Sequence, residues 1–226
     1  MRIEVGEPCP LPDDPVLAEW ATTLSDTGDW GWILDSSWRT VFMTDEQRLG
    51  FAAGVEMVPI VIGEHLFGSE MVDVSAHWRT GPTTDATWRD KFSKLGGLVL
   101  ADTPGGKDEL RSLVHPSLVE IVDELAPSRR SATAASLIGT GTTGRNESVA
   151  IKVVRIRDGG GHLRGTALLF KPEAGMNVLG AMAYDRDLDH LERLNLVASA
   201  RRRPAAILFT DLEGSSALSR TLSTGS

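Results

Sequence analysis

Two segments with the pattern of a β-hairpin lie on either side of a long helical stretch, and they constrain the fold more than any other feature. Residues 30–42 contain two short runs of aromatic and β-branched residues around Asp35-Ser36-Ser37. Residues 149–157 alternate apolar and mostly basic side chains, and residues 162–170 follow after Asp158-Gly159-Gly160-Gly161. Because glycine adopts the positive φ angles that tight turns require, we expect two antiparallel hairpins.

The chain between the hairpins is predicted to be mainly helical. Thr44 is a candidate N-cap followed by acidic residues, so a helix should begin near residue 45. Helical patterns predominate from about residue 51 to 125, with four predicted interruptions: Gly63, residues 81–84, residues 103–106 and Pro116. Residues 132–137 are compatible with a strand or a short helix, and residues 139–144 with a loop.

The composition indicates a globular protein and argues against several other classes of protein and site. The chain has 226 residues, of which 41% are hydrophobic, and its single cysteine, Cys9, excludes a disulfide scaffold and a multi-cysteine metal site. We expect a cytoplasmic protein without a membrane partner, because no stretch approaches the ~18 consecutive apolar residues of a membrane helix. No nucleic-acid partner is predicted, because Arg201-Arg202-Arg203 lacks interleaved aromatic residues for stacking on bases.

Residues 184–203 are predicted to form an exit helix. Apolar and polar positions recur in it at alternating intervals of four and three residues: Tyr184, Leu188, Leu191, Asn195 and Ala198. This spacing is typical of a coiled-coil seam that pairs with a second copy, in which Asn195 would fix the register. An amphipathic helix that packs on its own domain explains the spacing equally well.

The segment that indicates a function most specifically follows Pro204. Residues 205–209 have the pattern of a buried strand, which places Asp211 at its carboxyl end, next to Gly214 and a serine-rich helix start. A carboxylate in this position can bind a divalent cation, and the free N–H groups of a helix start can bind phosphate. A strand-to-helix turn in which Asp211 only caps the helix is the alternative.

Phe209-Thr-Asp211-Leu-Glu-Gly214-Ser-Ser resembles the opening motif of class III adenylate/guanylate cyclase catalytic domains, and the resemblance covers residues 204–226. It implies that Asp211 and the backbone carbonyl of Leu212 bind metal, with two Mg²⁺ or Mn²⁺ ions in each complete active site. Gly214, Ser215 and Ser216 would lie near the triphosphate of ATP or, alternatively, GTP. The resemblance also implies a homodimer, because such domains form active sites between two chains. The family's other active-site residues would follow Ser226, so this chain is expected to be truncated inside the catalytic domain and inactive alone.

The preceding part resembles PAS-type sensor domains. Residues 32–43 resemble the first two PAS strands, and residues 148–171 resemble the last two. The resemblance implies an α+β fold: a PAS-like antiparallel sheet with a large helical section, an exit signalling helix, and the first strand of a cyclase α/β domain. The predicted domains are an N-terminal extension (1–27), a PAS-like sensor (28–183), a signalling helix (184–203) and the start of the catalytic domain (204–226).

These resemblances predict the regulatory part of an enzyme that forms 3′,5′-cyclic nucleotide and pyrophosphate from a nucleoside triphosphate. The sensor is expected to hold a small-molecule ligand without covalent attachment in an apolar cavity. Trp78 and Trp88 are candidate lining residues, although packing in the core is the commoner role of tryptophan. The five histidines are expected at the surface or hydrogen-bonded internally, not as haem ligands. The alternative function is a non-enzymatic PAS-type regulator of transcription or response with an unrelated tail.

Overall fold

The computed structural model describes residues 1–141 and 143–171, and only the backbone of Lys171. The described part has an α+β fold with seven strands, six helices and one 3₁₀ turn. In chain order these are β1 (Arg2–Ile3), α1 (Pro15–Thr27), β2 (Trp30–Asp35), β3 (Thr40–Met43), α2 (Asp45–Phe51), β4 (Ile60–Val61), α3 (Ser69–Ser75), α4 (Asp85–Asp102), α5 (Gly106–Leu113), the 3₁₀ turn Pro116–Leu118, α6 (Val119–Val122), β5 (Ala132–Thr140), β6 (Asn146–Arg157) and β7 (Leu163–Lys171). The predicted signalling helix 184–203 and the segment 204–226 lie outside the described residues.

The two predicted hairpins form a single sheet. Its five antiparallel strands have the order β3-β2-β7-β6-β5, so β2 and β7, which are the first and last of these strands in the chain, are neighbours within the sheet. Their register runs from Trp30 opposite Phe170 to Asp35 opposite Gly165. A Cβ atom at Gly165 would lie 2.2 Å from the carbonyl oxygen of Leu34, so the close approach of these strands requires glycine.

Helices cover both faces of this sheet. On one face, Leu17, Ala21 and Leu24 of α1 pack with buried side chains of the sheet: Ile33, Phe42, Ile156 and Ala167. On the other face, the remaining helices and β4 enclose the larger core, which includes Trp32, Trp38, Phe67, Trp88, Phe92, Ile151, Val153 and Leu168. Residues 1–27, for which the sequence predicted no element, therefore contribute a helix that packs on the sheet.

Arg48 of α2 connects the N-terminal segment to the helical layer. Its side chain is fully buried, and its guanidinium donates hydrogen bonds to the carbonyl oxygens of Val58 (2.9 Å), Glu4 (3.0 Å) and Glu7. These bonds pair most of the N–H donors of the buried guanidinium, as buried polar groups usually require. We therefore assign Arg48 a structural role.

Most local predictions are confirmed. Both hairpins form, Thr44 caps α2 through its side chain, and Pro116 begins a new element after α5. The expectation of helix just after residue 51 was wrong, because α2 ends there and Ala53 and Gly54 adopt positive φ angles of 56° and 81°.

The segment after the helices also differs from its expectation. Residues 132–137 belong to a strand, and this strand continues through residue 140, where a loop was expected. The strand pairs along β6, and Gly81 and Thr140 exchange two backbone hydrogen bonds. The local sequence does not indicate either set of hydrogen bonds.

Candidate ligand-binding cleft

A cleft of about 460 Å³ lies between the helical layer and one end of the large sheet. Residues of α2, α4, β2, β5, β6, β7 and the 80–82 turn line it. Seven of its sixteen lining residues have apolar side chains: Trp30, Phe51, Pro82, Leu137, Ile138, Val149 and Phe170. The charged residues of its lining are Lys91 and Glu147, and its volume falls within the range of small-molecule sites.

Aromatic contacts fix the apolar side of the cleft. Phe51 stacks on Trp78 with a centroid distance of 4.5 Å and an interplanar angle of 13°. Phe51 also meets Phe170 edge to face, with centroids 6.0 Å apart. Because Trp78 is itself buried and donates from Nε1 to the carbonyl oxygen of Pro59 at 3.0 Å, the position of Phe51 is well determined.

Gly81 and Thr140 form the edge of the cleft. Each donates a backbone hydrogen bond of 2.8 Å to the other, and the hydroxyls of Thr83 and Thr140 lie 2.8 Å apart. Gly81 has a φ of 86°, and a Cβ atom there would lie 2.5 Å from Cε1 of Phe51. Glycine is therefore required both for this backbone conformation and for the close approach of Phe51.

Lys91 is the most unusual residue of the lining. It is 2% exposed, and among the described residues its Nζ atom has no hydrogen-bond partner. Nζ lies 4.2 Å from the ring centroid of Trp32, 4.8 Å from that of Trp88 and 6.0 Å from that of Phe170. The rings stabilise an ammonium by cation–π attraction but offer no oxygen acceptor. Burial lowers the pKa of Lys91 from 10.5 to about 7, so its ammonium is easily deprotonated.

Gln47 contributes a second unpaired polar atom to the same lining. Its side chain is 1% exposed, and Oε1 has no hydrogen-bond partner in the described part of the chain. Gln47 lies one helical turn before Phe51 on α2, so both side chains project on the same side of that helix. Buried polar atoms are usually paired, and two unpaired ones in one cleft mark it as a candidate site for a polar ligand group.

The two tryptophans considered as candidate lining residues belong to the core, which is the role that the sequence favoured for them. Trp78 and Trp88 are 4% and 1% exposed, and neither lines the cleft. The indole of Trp88 donates to Oγ of Ser75 at 2.7 Å and its ring lies beside Lys91. Cavity formation depends on which side chains leave space unfilled, and spacing along a helix does not show this.

Sequence reasoning missed Lys91, although a signal was present. On α4, Trp88, Phe92 and Leu95 form an apolar stripe, and Lys91 lies within it. A lysine on the buried stripe of an amphipathic helix is unexpected, because charged side chains are rarely buried unless paired.

The other predicted site residues belong to the segment 204–226. Asp211, Leu212, Gly214, Ser215 and Ser216 lie outside the described residues. Within the described residues, no group of three or more histidine, cysteine, aspartate or glutamate side chains could hold a metal ion.

Among the histidines, His65 is buried. Its Nδ1 accepts a 3.3 Å bond from the backbone N–H of Phe67, and burial lowers its pKa to about 4.

Comparison with known proteins shows similarity to solved structures. No family model and no curated protein matches the chain. Among solved structures, the PAS domain of BvgS from Bordetella pertussis is 14% identical, with a TM-score of 0.40 over 80% of this chain and 96% of that chain. No described helix is both long and apolar enough to cross a membrane.

Proposed function

We propose that residues 28–183 form a PAS-like sensor domain that binds a small molecule in the cleft and regulates a signalling protein. The observation that carries this proposal is the unpaired, buried ammonium of Lys91 in the lining. Burying a charged group without a partner costs several kcal/mol, and such costs are concentrated at functional sites, where a ligand can offset them.

The arrangement of the sheet supports a PAS-like architecture. The two hairpins that carry the PAS resemblance are joined through β2 and β7, and the helical section between them covers one face of the sheet. The cleft lies between that section and the sheet, so a ligand there would contact both. Occupation of the cleft would therefore act on β7, the strand that leads toward residues 184–203.

Residues 204–226 are proposed to begin a class III cyclase catalytic domain, on the strength of the sequence motif. Asp211 and the carbonyl of Leu212 would bind metal in a site that holds two Mg²⁺ or Mn²⁺ ions when complete. Gly214, Ser215 and Ser216 would contact the triphosphate of ATP or GTP. The metal ions would stabilise the charge of the triphosphate and favour ionisation of the attacking hydroxyl. A homodimer joined through helix 184–203 would bring two such domains together.

Ligand binding is tested by native mass spectrometry of the full chain after gentle purification. We expect a non-covalent small-molecule adduct that is lost in Val149→Trp, which fills the cleft, and retained in Val5→Trp, which adds the same side chain at an exposed position. Absence of any adduct, together with no thermal stabilisation by any member of a small-molecule library, would contradict the sensor proposal.

The cyclase proposal is tested in a protein that carries residues 1–226 followed by the rest of the catalytic domain. Asp211→Asn should abolish cyclic nucleotide production, because it removes the metal-binding charge, whereas a helix cap tolerates asparagine. Glu213→Gln is the matched control and should retain most activity. Near-normal turnover in Asp211→Asn would refute the metal role. A helix-turn-helix pattern in place of a catalytic domain would support the non-enzymatic regulator.

A further inference from the structure

We propose that the cleft binds an apolar monocarboxylate, whose carboxylate pairs with Nζ of Lys91 and whose apolar part contacts the aromatic and aliphatic lining. The inference rests on the proposed sensor function and names the chemical class of its ligand.

The distribution of charge in the cleft favours an anion. Lys91 lies buried among the rings of Trp32, Trp88 and Phe170, which supply no negative charge. Glu147, the other charged residue of the lining, is exposed, and its carboxylate lies against Gly141. A ligand carboxylate would therefore provide the counter-charge that the ammonium lacks, and a charge-assisted hydrogen bond of this kind is stronger than a neutral one.

The number of donors favours a carboxylate over a phosphate. Within the described lining, a single cationic side chain is present, and phosphate sites in proteins generally combine several cationic or N–H donors. Gln47 can assist, because rotation of its amide by half a turn places the NH₂ group where the unpaired Oε1 now lies. The cleft lining thus contains one ammonium and one amide, which is one donor group for each oxygen of a carboxylate.

The apolar residues of the lining favour a ligand that is apolar apart from its carboxylate. Trp30, Phe51, Leu137, Val149 and Phe170 present carbon surface along the cleft. Apolar groups in contact with these side chains would be removed from water, which favours binding in proportion to the area buried.

Proton linkage provides an independent signature of the ion pair. The depressed pKa of Lys91 is caused by burial, with no contribution from a neighbouring charge. A bound carboxylate favours the protonated form and raises this pKa, so binding above neutral pH should be accompanied by uptake of a proton. An uncharged ligand in the same place would leave the proton balance unchanged or would release a proton.

The test is isothermal titration of the full chain with two matched pairs of ligands: decanoate with 1-decanol, and 2-naphthoate with 2-naphthalenemethanol. We expect at least one carboxylate to bind about tenfold more tightly than its alcohol near neutral pH. Titration at about pH 8 in buffers of different ionisation enthalpy should show proton uptake for that carboxylate alone. Lys91→Met should abolish both the preference and the proton uptake while still binding the alcohol.

Lys94→Met is the matched control, because Lys94 lies on the same helix, pairs with Asp90 and does not line the cleft. It should retain the carboxylate preference. If the alcohols bind as tightly as the carboxylates and Val149→Trp blocks both, the cleft is a ligand site but the inferred class is wrong. The same conclusion follows if Lys91→Met retains the preference. If none of the four compounds binds, the class is wrong, and the mass-spectrometric test decides the sensor proposal separately.

Discussion

The indole Nε1 of Trp38 donates a hydrogen bond of 2.8 Å to Oδ2 of Asp102. Trp38 lies in the turn between β2 and β3 with a φ of 61°, and Asp102 is the last residue of α4. Arg155 of β6 forms an ion pair with the same carboxylate, and its guanidinium carbon lies 5.6 Å from the ring centroid of Trp38. Asp102 therefore joins the first hairpin, the longest helix and the second hairpin.

Replacement of Asp102 by alanine should destabilise the fold strongly. The side chains of Arg155 and Asp102 are 5% and 14% exposed, so the substitution leaves a buried guanidinium without its counter-charge. We expect a loss of about 3 to 5 kcal/mol in the free energy of unfolding, measured by chemical denaturation. Asp108→Ala is the control, because Asp108 also pairs with an arginine but is 94% exposed, and it should have little effect. Equal stabilities of the two variants would show that the buried pair is unimportant.

Replacement of Lys91 by methionine should stabilise the ligand-free protein. Methionine has a similar length and needs no hydrogen bond, whereas the ammonium of Lys91 is buried without a partner. We expect an increase of about 1 to 3 kcal/mol in the free energy of unfolding near neutral pH. Lys94→Met, at a partly exposed position on the same helix, should not raise stability. A destabilised Lys91→Met protein would indicate that the aromatic rings alone compensate the charge.

Below neutral pH, His65 should reduce the stability of the fold. Burial, with a smaller contribution from Arg39, lowers its folded pKa to about 4, whereas an unfolded histidine titrates near 6.5. The unfolded state therefore binds more protons between these values, and the stability contributed by neutral His65 is complete above 6.5 and is lost as the pH falls toward 4. The expected loss between about pH 7 and 5 is about 2 kcal/mol.

His65→Asn isolates this effect, because asparagine can accept the hydrogen bond from Phe67 but does not titrate. The pKa values of Asp45, Glu46 and Glu64 are raised by burial, which alters the pH dependence of both proteins alike. The difference in unfolding free energy between the two proteins should therefore change with pH. A difference that is constant from pH 7 to 5 would rule out a neutral buried histidine.

The predicted seam of helix 184–203 can be tested in solution. Lysine at both Leu188 and Leu191 would place like charges in the seam and should convert a dimer into a monomer. Sedimentation velocity of the full chain measures this, with the same double substitution at Glu192 and Arg193, beside the seam, as the control. A monomeric unaltered chain at high concentration would contradict the coiled-coil hypothesis.

The sequence by itself determined several local features of this protein. Thr44 caps α2, Pro116 begins a new turn, and Gly161 has a φ of 83° in the turn between β6 and β7. These features depend on a residue's own backbone preferences and on neighbours a few positions away, so they are visible in the chain. The motif around Asp211 likewise remains a prediction that rests on the sequence.

Tertiary structure decided which distant residues meet. Residues 132–140 form a strand because they pair with β6, whereas the local sequence allowed a helix over 132–137 and indicated a loop from residue 139. Lys91 is unusual only because rings from β2, α4 and β7 surround it, and its pKa falls because these side chains exclude water. Burial and the loss of hydrogen-bond partners arise from contacts between elements far apart in the chain, which is why local patterns predicted the hairpins but not the residues that line the cleft.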